Sequence, residues 1–136
     1  MVLHADDFEL YASDILRRDL SRCSPSLRDH RFRSFFGVSS RVCAVLWEYL
    51  RRHGSFQRKK GSSSKHLLWA LLFLKLYGNE ETHASLVGGV DRKTYRKWVW
   101  IVLKDIRRLK KHLVCTMNSI ILSFIYILYS FIVSIF

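Results

Sequence analysis

The 136-residue chain carries a net charge of +12 and is 49% hydrophobic, but its charge falls into three blocks. Residues 1 to 16 hold four acids and no base, residues 17 to 113 hold all 23 Lys and Arg against seven acids, and residues 114 to 136 hold no charge. Roughly 100 residues beside an uncharged tail admit one small domain and exclude a large multidomain enzyme, while four Trp, six Tyr and nine Phe exclude a solvated basic coil.

Residues 1 to 24 read as an acidic amphipathic helix. From Ala5 to about Leu20, Phe8, Tyr11, Ala12, Ile15 and Leu16 recur at helical spacing, Asp6 and Asp7 favour the positive end of the dipole, and Arg17 and Arg18 lie nearer the other end. A break is expected at Cys23-Ser24-Pro25, which holds the only proline.

Residues 25 to 54 form a second helical unit. One helix is expected from Asp29 to Phe36, with Phe32, Phe35 and Phe36 inward and Gly37 as its stop. Ser39 or Ser40 then caps another, whose apolar stripe is Val42, Leu46, Tyr49 and Leu50 and whose last turn is the basic Arg51-Arg52-His53 before Gly54. Residues 55 to 65 read as a basic Ser/Gly linker, since Gln57 to Ser64 contains no apolar residue and three adjacent cations, Arg58, Lys59 and Lys60.

Residues 66 to 113 are expected to hold a helix-turn-helix. A helix from Lys65 to Tyr77 is apolar nearly all round, which suits the centre of a bundle. At about 14 residues, and interrupted by Lys75, it is too short to span a bilayer. Asn79 caps a short helix to Val87, Gly88-Gly89-Val90 makes the turn, and Asp91 caps a long helix reaching about His112.

Stepping that long helix by about 100° per residue from Tyr95 separates two faces. Tyr95, Trp98, Val99, Val102, Ile106 and Leu109 share one side. Lys93, Arg96, Lys97, Lys104, Arg107, Arg108 and Lys111 share the other with Trp100, and the acid Asp105 falls toward the flank. A solvated surface normally mixes signs, so a one-sided cationic helix points to a polyanion and makes double-stranded DNA the expected partner. Lys and Arg release counterions from phosphates, and residues early in such a helix can reach base edges. Arg92, Lys93, Thr94, Arg96 and Lys97 are the expected base-contacting residues. Lys104, Arg107, Arg108, Arg58, Lys59, Lys60 and Lys65 are the expected phosphate contacts. The plain alternative is a solvated basic helix on a cationic protein.

Three blocks of this region resemble the N-terminal part of DDE-type transposases, most closely the Harbinger-like group. They are Arg31 to Ser39 with Val42 and Leu46-Trp47, then Lys65 to Tyr77, then Asp91 to Trp100, and the likeness spans about residues 29 to 112. It implies an all-α DNA-binding segment that recognises an element's terminal repeats, ahead of a nuclease domain in which two Asp and a Glu hold two divalent metals. No residue matches that carboxylate triad, and after His112 there is no Asp or Glu. The expectation is therefore a DNA-binding fragment without catalytic residues, cofactor or enzyme activity, nuclear by resemblance.

Cys23, Cys43 and Cys115 are widely spaced and the six His form no HxxxH or HExxH pair, so neither a disulfide framework nor a metal site is expected. Met1 is followed by acids rather than a basic and then apolar run, so no signal peptide is expected and a reducing compartment is the default.

Val114 to Phe136 is 23 uncharged residues. As a helix it would be about 34 Å long, enough for a hydrocarbon core of about 30 Å. With Arg107, Arg108, Lys110 and Lys111 just before it, the span would act as a C-terminal anchor holding the body in the cytosol. Ser119, Ser123, Ser130 and Ser134 would let two such helices pack closely as a homo-oligomer. The restricted Ile, Leu, Phe, Tyr, Val and Ser alphabet is also what translated AU-rich noncoding sequence gives. The fold expected from the sequence is thus a small helical bundle with a helix-turn-helix, followed by one hydrophobic helix.

Overall fold

The computed structural model describes residues 3–16, 19–76, 84–85, 87 and 90–113. Among these residues the fold is all-α: α1 (Ala5–Leu16), α2 (Pro25–Phe36), α3 (Ser40–His53), α4 (Ser64–Leu76) and α5 (Arg92–Leu113), with short 3-10 turns at Leu20–Arg22 and Phe56–Arg58. The short helix and glycine turn expected between Asn79 and Gly89 lie largely outside the described residues, as does the tail from Val114 onward.

Each helix begins where a side chain can take up free backbone donors. The Asp7 carboxylate accepts from the His4 N–H at 2.8 Å, which closes the start of α1. Ser24 Oγ accepts from the Leu27 N–H, and Pro25 occupies the first turn of α2. The expected break at Pro25 is thus a helix start: a fixed φ and a missing N–H cost nothing in the first turn. It also moves the start of α2 four residues ahead of Asp29. α2 stops at Gly37, whose φ of 81° lies in the left-handed region and whose N–H donates to the Arg33 carbonyl at 2.8 Å. Ser39 caps α3 by accepting from the Val42 N–H.

α1 ends at Leu16 rather than running to Leu20. Leu20 starts the separate 3-10 turn, buries its side chain, and donates its N–H to Ser13 Oγ. On the inner face of α1 are Phe8, Ala12 and Ile15. The Glu9 carboxylate joins three helices, accepting from Ser40 Oγ at 3.1 Å and pairing with the Arg28 guanidinium at 3.4 Å.

α3 buries Cys43, Leu46, Trp47 and Leu50, whereas Val42 and Tyr49 of the expected stripe are half-buried. The inward stripe is rotated because α3 is covered from two sides, by α1 and by α5. Burial also pushes the Cys43 thiol far above its ordinary range, which keeps it an unreactive core group.

α4 is the hub. Leu67, Leu68, Trp69, Ala70, Leu71 and Leu72 are buried in unbroken succession, as is Leu74, because α1, α2, α3 and α5 all pack against this helix. A helix apolar nearly all round requires such surroundings. Truncating one of these leucines to Ala would cost about 2 to 5 kcal/mol. Among the described residues, no helix is long and apolar enough to cross a membrane.

Candidate nucleic-acid interface

α5 starts with Asp91, whose carbonyl accepts the first helical bond from the Tyr95 N–H and whose carboxylate accepts from the Lys93 N–H at 3.1 Å. Along α5, Tyr95, Trp98, Val99, Val102, Ile106 and Leu109 are all buried, and Leu103 joins them. This face packs chiefly on α4 and also on α3. The Tyr95 hydroxyl donates to the Trp69 carbonyl at 3.3 Å, so its polar end is satisfied inside the core.

The opposite face is open to solvent. Arg92, Lys93, Thr94, Arg96 and Lys97 are exposed over the first two turns, and Lys104, Arg107 and Arg108 continue the face toward the C-terminal end. Trp100 lies half-buried among these cations, its ring 6.1 Å from that of Phe73 in α4. Lys97 Nζ stands 5.3 Å above the centre of the Trp98 ring. That indole also stacks on the imidazole of His66, with 4.2 Å between centroids and 12° between planes.

His66 is held neutral at ordinary pH. Burial lowers its pKa to about 4, and its unprotonated Nδ1 accepts from the Ser63 N–H at 3.1 Å. This fixes the turn before α4 directly beside the N-terminal half of α5.

Residues 55 to 65 do not form the free linker expected from their composition. Phe56 is fully buried, with its ring 5.4 Å from Trp47. The side-chain amide of Gln57 donates to the Trp47 carbonyl, and Ser62 Oγ donates to the Gln57 carbonyl, both at 3.0 Å. The main tether is Asp105, the acid expected on the flank of α5, which is only 2% exposed. Its carboxylate accepts from the Phe56 N–H at 2.6 Å, the Ser55 N–H at 2.8 Å and the Ser55 hydroxyl at 3.2 Å. At the far end of the loop, Gly61 adopts a φ of 88° and lies against α5, where a Cβ would meet the Trp98 ring at an ordinary contact distance of 3.5 Å.

Arg58, Lys59 and Lys60 are therefore exposed on a tethered loop beside α5. Lys65 stands apart from them: its ammonium pairs with Asp14 of α1 at 2.9 Å. The structure thus brings together eleven of the twelve expected contact residues, on α5 and the adjoining loop, and directs Lys65 to the acidic helix. Composition could not disclose the Asp105 tether, which joins groups about fifty positions apart. The one available signal was a lone acid in a helix otherwise rich in bases.

Among the described residues there is no group of three or more His, Cys, Asp or Glu able to hold a metal ion. No protein-family model matches the chain, and neither a curated protein nor a solved structure matches it.

Proposed function

We propose that this chain is a helix-turn-helix module that binds double-stranded DNA, similar in role to the terminal-repeat-recognition region of a Harbinger-like transposase. The observation that carries this reading is the division of α5 into a fully packed face and an exposed face bearing Lys93, Arg96, Lys97, Lys104, Arg107 and Arg108. An α-helix about 10 to 12 Å across matches a major groove about 12 Å wide. With its core side fixed on α4, α5 would present Arg92, Lys93, Thr94, Arg96 and Lys97 to base edges and the later cations to phosphates.

The test is retardation of a labelled duplex by the full chain, kept in solution with a nonionic detergent, across a range of salt. The expected result is a linear fall of log affinity with log salt. The Lys93→Gln, Lys97→Gln, Lys104→Gln triple variant should have a slope shallower by about 2 to 3, since each lost phosphate contact removes about 0.9. No retardation at low salt, or an unchanged slope in the variant, would refute the reading.

A second reading is favoured by the uncharged stretch from Val114 to Phe136 and the bases just before it. In that reading the chain is a tail-anchored, single-pass membrane protein whose cationic body lies against anionic lipid. Retention of the full chain in the membrane pellet after alkaline carbonate extraction is the expected result, and release to the supernatant would exclude it.

A further inference from the structure

The basic loop and α5 are joined at two points. Ser55 and Phe56 are bound to Asp105, and Gly61 rests on Trp98. Positions 98 and 105 are seven residues apart, or about 10 Å along the helix. The loop between the two points runs opposite in direction to α5 and carries Arg58, Lys59 and Lys60 outward along that length. α5 shows its exposed cations Lys97, Lys104 and Arg108 on the neighbouring surface. Arg108 itself reaches back to the tether, with its guanidinium 3.5 Å from Ser55 Oγ and 3.7 Å from Asp105.

We infer that the loop is a second arm of the nucleic-acid surface and that Asp105 is the positioning residue that holds it there. This rests on the DNA-binding reading of α5. A helix filling a major groove leaves the phosphates along the groove's edge to be met by whatever lies beside it. The loop is beside it, with three cations in a row. Without the tether, a Ser/Gly-rich segment bearing three like charges would swing away from α5 and spread the cations apart.

Asp105 makes the inference unusually easy to test, because charge and position predict opposite results. An acid within a cationic surface repels phosphate, so Asp105→Asn should tighten DNA binding if only charge matters. If the carboxylate positions the loop, the same substitution weakens binding and makes the salt dependence shallower, despite the gain in net positive charge. The full reference is a variant with Arg58, Lys59 and Lys60 all changed to Gln. Losing three phosphate contacts makes its slope shallower by about 2 to 3, or about 40-fold less affinity lost over a fourfold rise in salt.

The experiment is a double-mutant cycle on the full chain in detergent, with a random-sequence duplex about two helical turns long. Asp105→Asn should approach the slope of the loop variant and add nothing further in its background. Gly61→Val, which disturbs the other tether point through its left-handed backbone, should act in the same direction and serves should Asp105→Asn fail to fold. Trypsin should nick both tether variants faster than the unmodified chain after Arg58, Lys59 or Lys60. Tighter binding by Asp105→Asn, an additive cycle, or unchanged nicking would overturn the inference while leaving DNA binding by α5 intact. Failure of the unmodified chain to retard the duplex would remove both.

Discussion

Replacing Asp105 with Ala tests the physical account of the loop without any ligand. The substitution strands the buried Phe56 N–H and the half-buried Ser55 N–H, and removes one hydroxyl contact. Hydrogen bonds to a charged group contribute about 1.5 to 3 kcal/mol each. Water can replace the partner at Ser55 but not at Phe56, and loss of the carboxylate also relieves the cost of keeping a charge out of solvent. Arg108 offers that charge little compensation, since its side chain is 67% exposed at 3.7 Å. The net expectation is a loss of about 3 kcal/mol, a large share of the roughly 5 to 15 kcal/mol that stabilises a small domain. Urea unfolding followed by circular dichroism would show it as a lower midpoint at unchanged slope. A loss below about 1 kcal/mol would refute the idea that this carboxylate holds the loop.

His66 gives a prediction in pH. Its folded pKa of about 4 lies below the ordinary 6.5, so the unfolded chain binds the proton first and stability falls as pH drops from about 6.5 to about 4. The full effect is about 3 kcal/mol, of which about 2 kcal/mol falls between pH 7 and pH 4.5, and His66→Gln should remove the His66 part of that dependence in urea melts taken at those two pH values. Persistence of the whole slope in the variant would show that His66 is not its source. Gly37→Ala should cost about 1 kcal/mol, because the added Cβ would meet Lys75 only at an ordinary 3.6 Å and the cost is confined to the positive φ. Gly37→Asn should cost less, and equal urea midpoints for all three proteins would contradict that reasoning.

The sequence was most readable where a single helix face decides burial. All six residues assigned to the core side of α5 are buried, and the six described cations assigned to its opposite side are exposed, while Trp100 among them is half-buried. The central character of α4 was also evident, because six consecutive apolar residues leave no face for water. Reading failed where structure depends on partners far along the chain. Phe56, at the start of the presumed linker, is anchored by Asp105 and by Trp47, neither of which a local window contains. Pro25 misled because proline both ends helices and begins them, and only the Ser24 cap decides between the two. Cys43 and Trp47 displaced the expected stripe of α3 because a helix packed on two neighbours has no single inward direction.

The position of α4 at the centre of the bundle also sets an order on biosynthesis. Chains emerge N-terminus first, so α1, α2 and α3 leave the ribosome before the segment against which each of them packs. α1 and α3 can pair with each other as soon as both have emerged, but the sides of α1, α2 and α3 that meet α4 stay open until Leu76 has cleared the exit tunnel. A nascent chain paused between α3 and α4 would leave the α4-facing side of all three helices open, and that interval is where a chaperone would find its target.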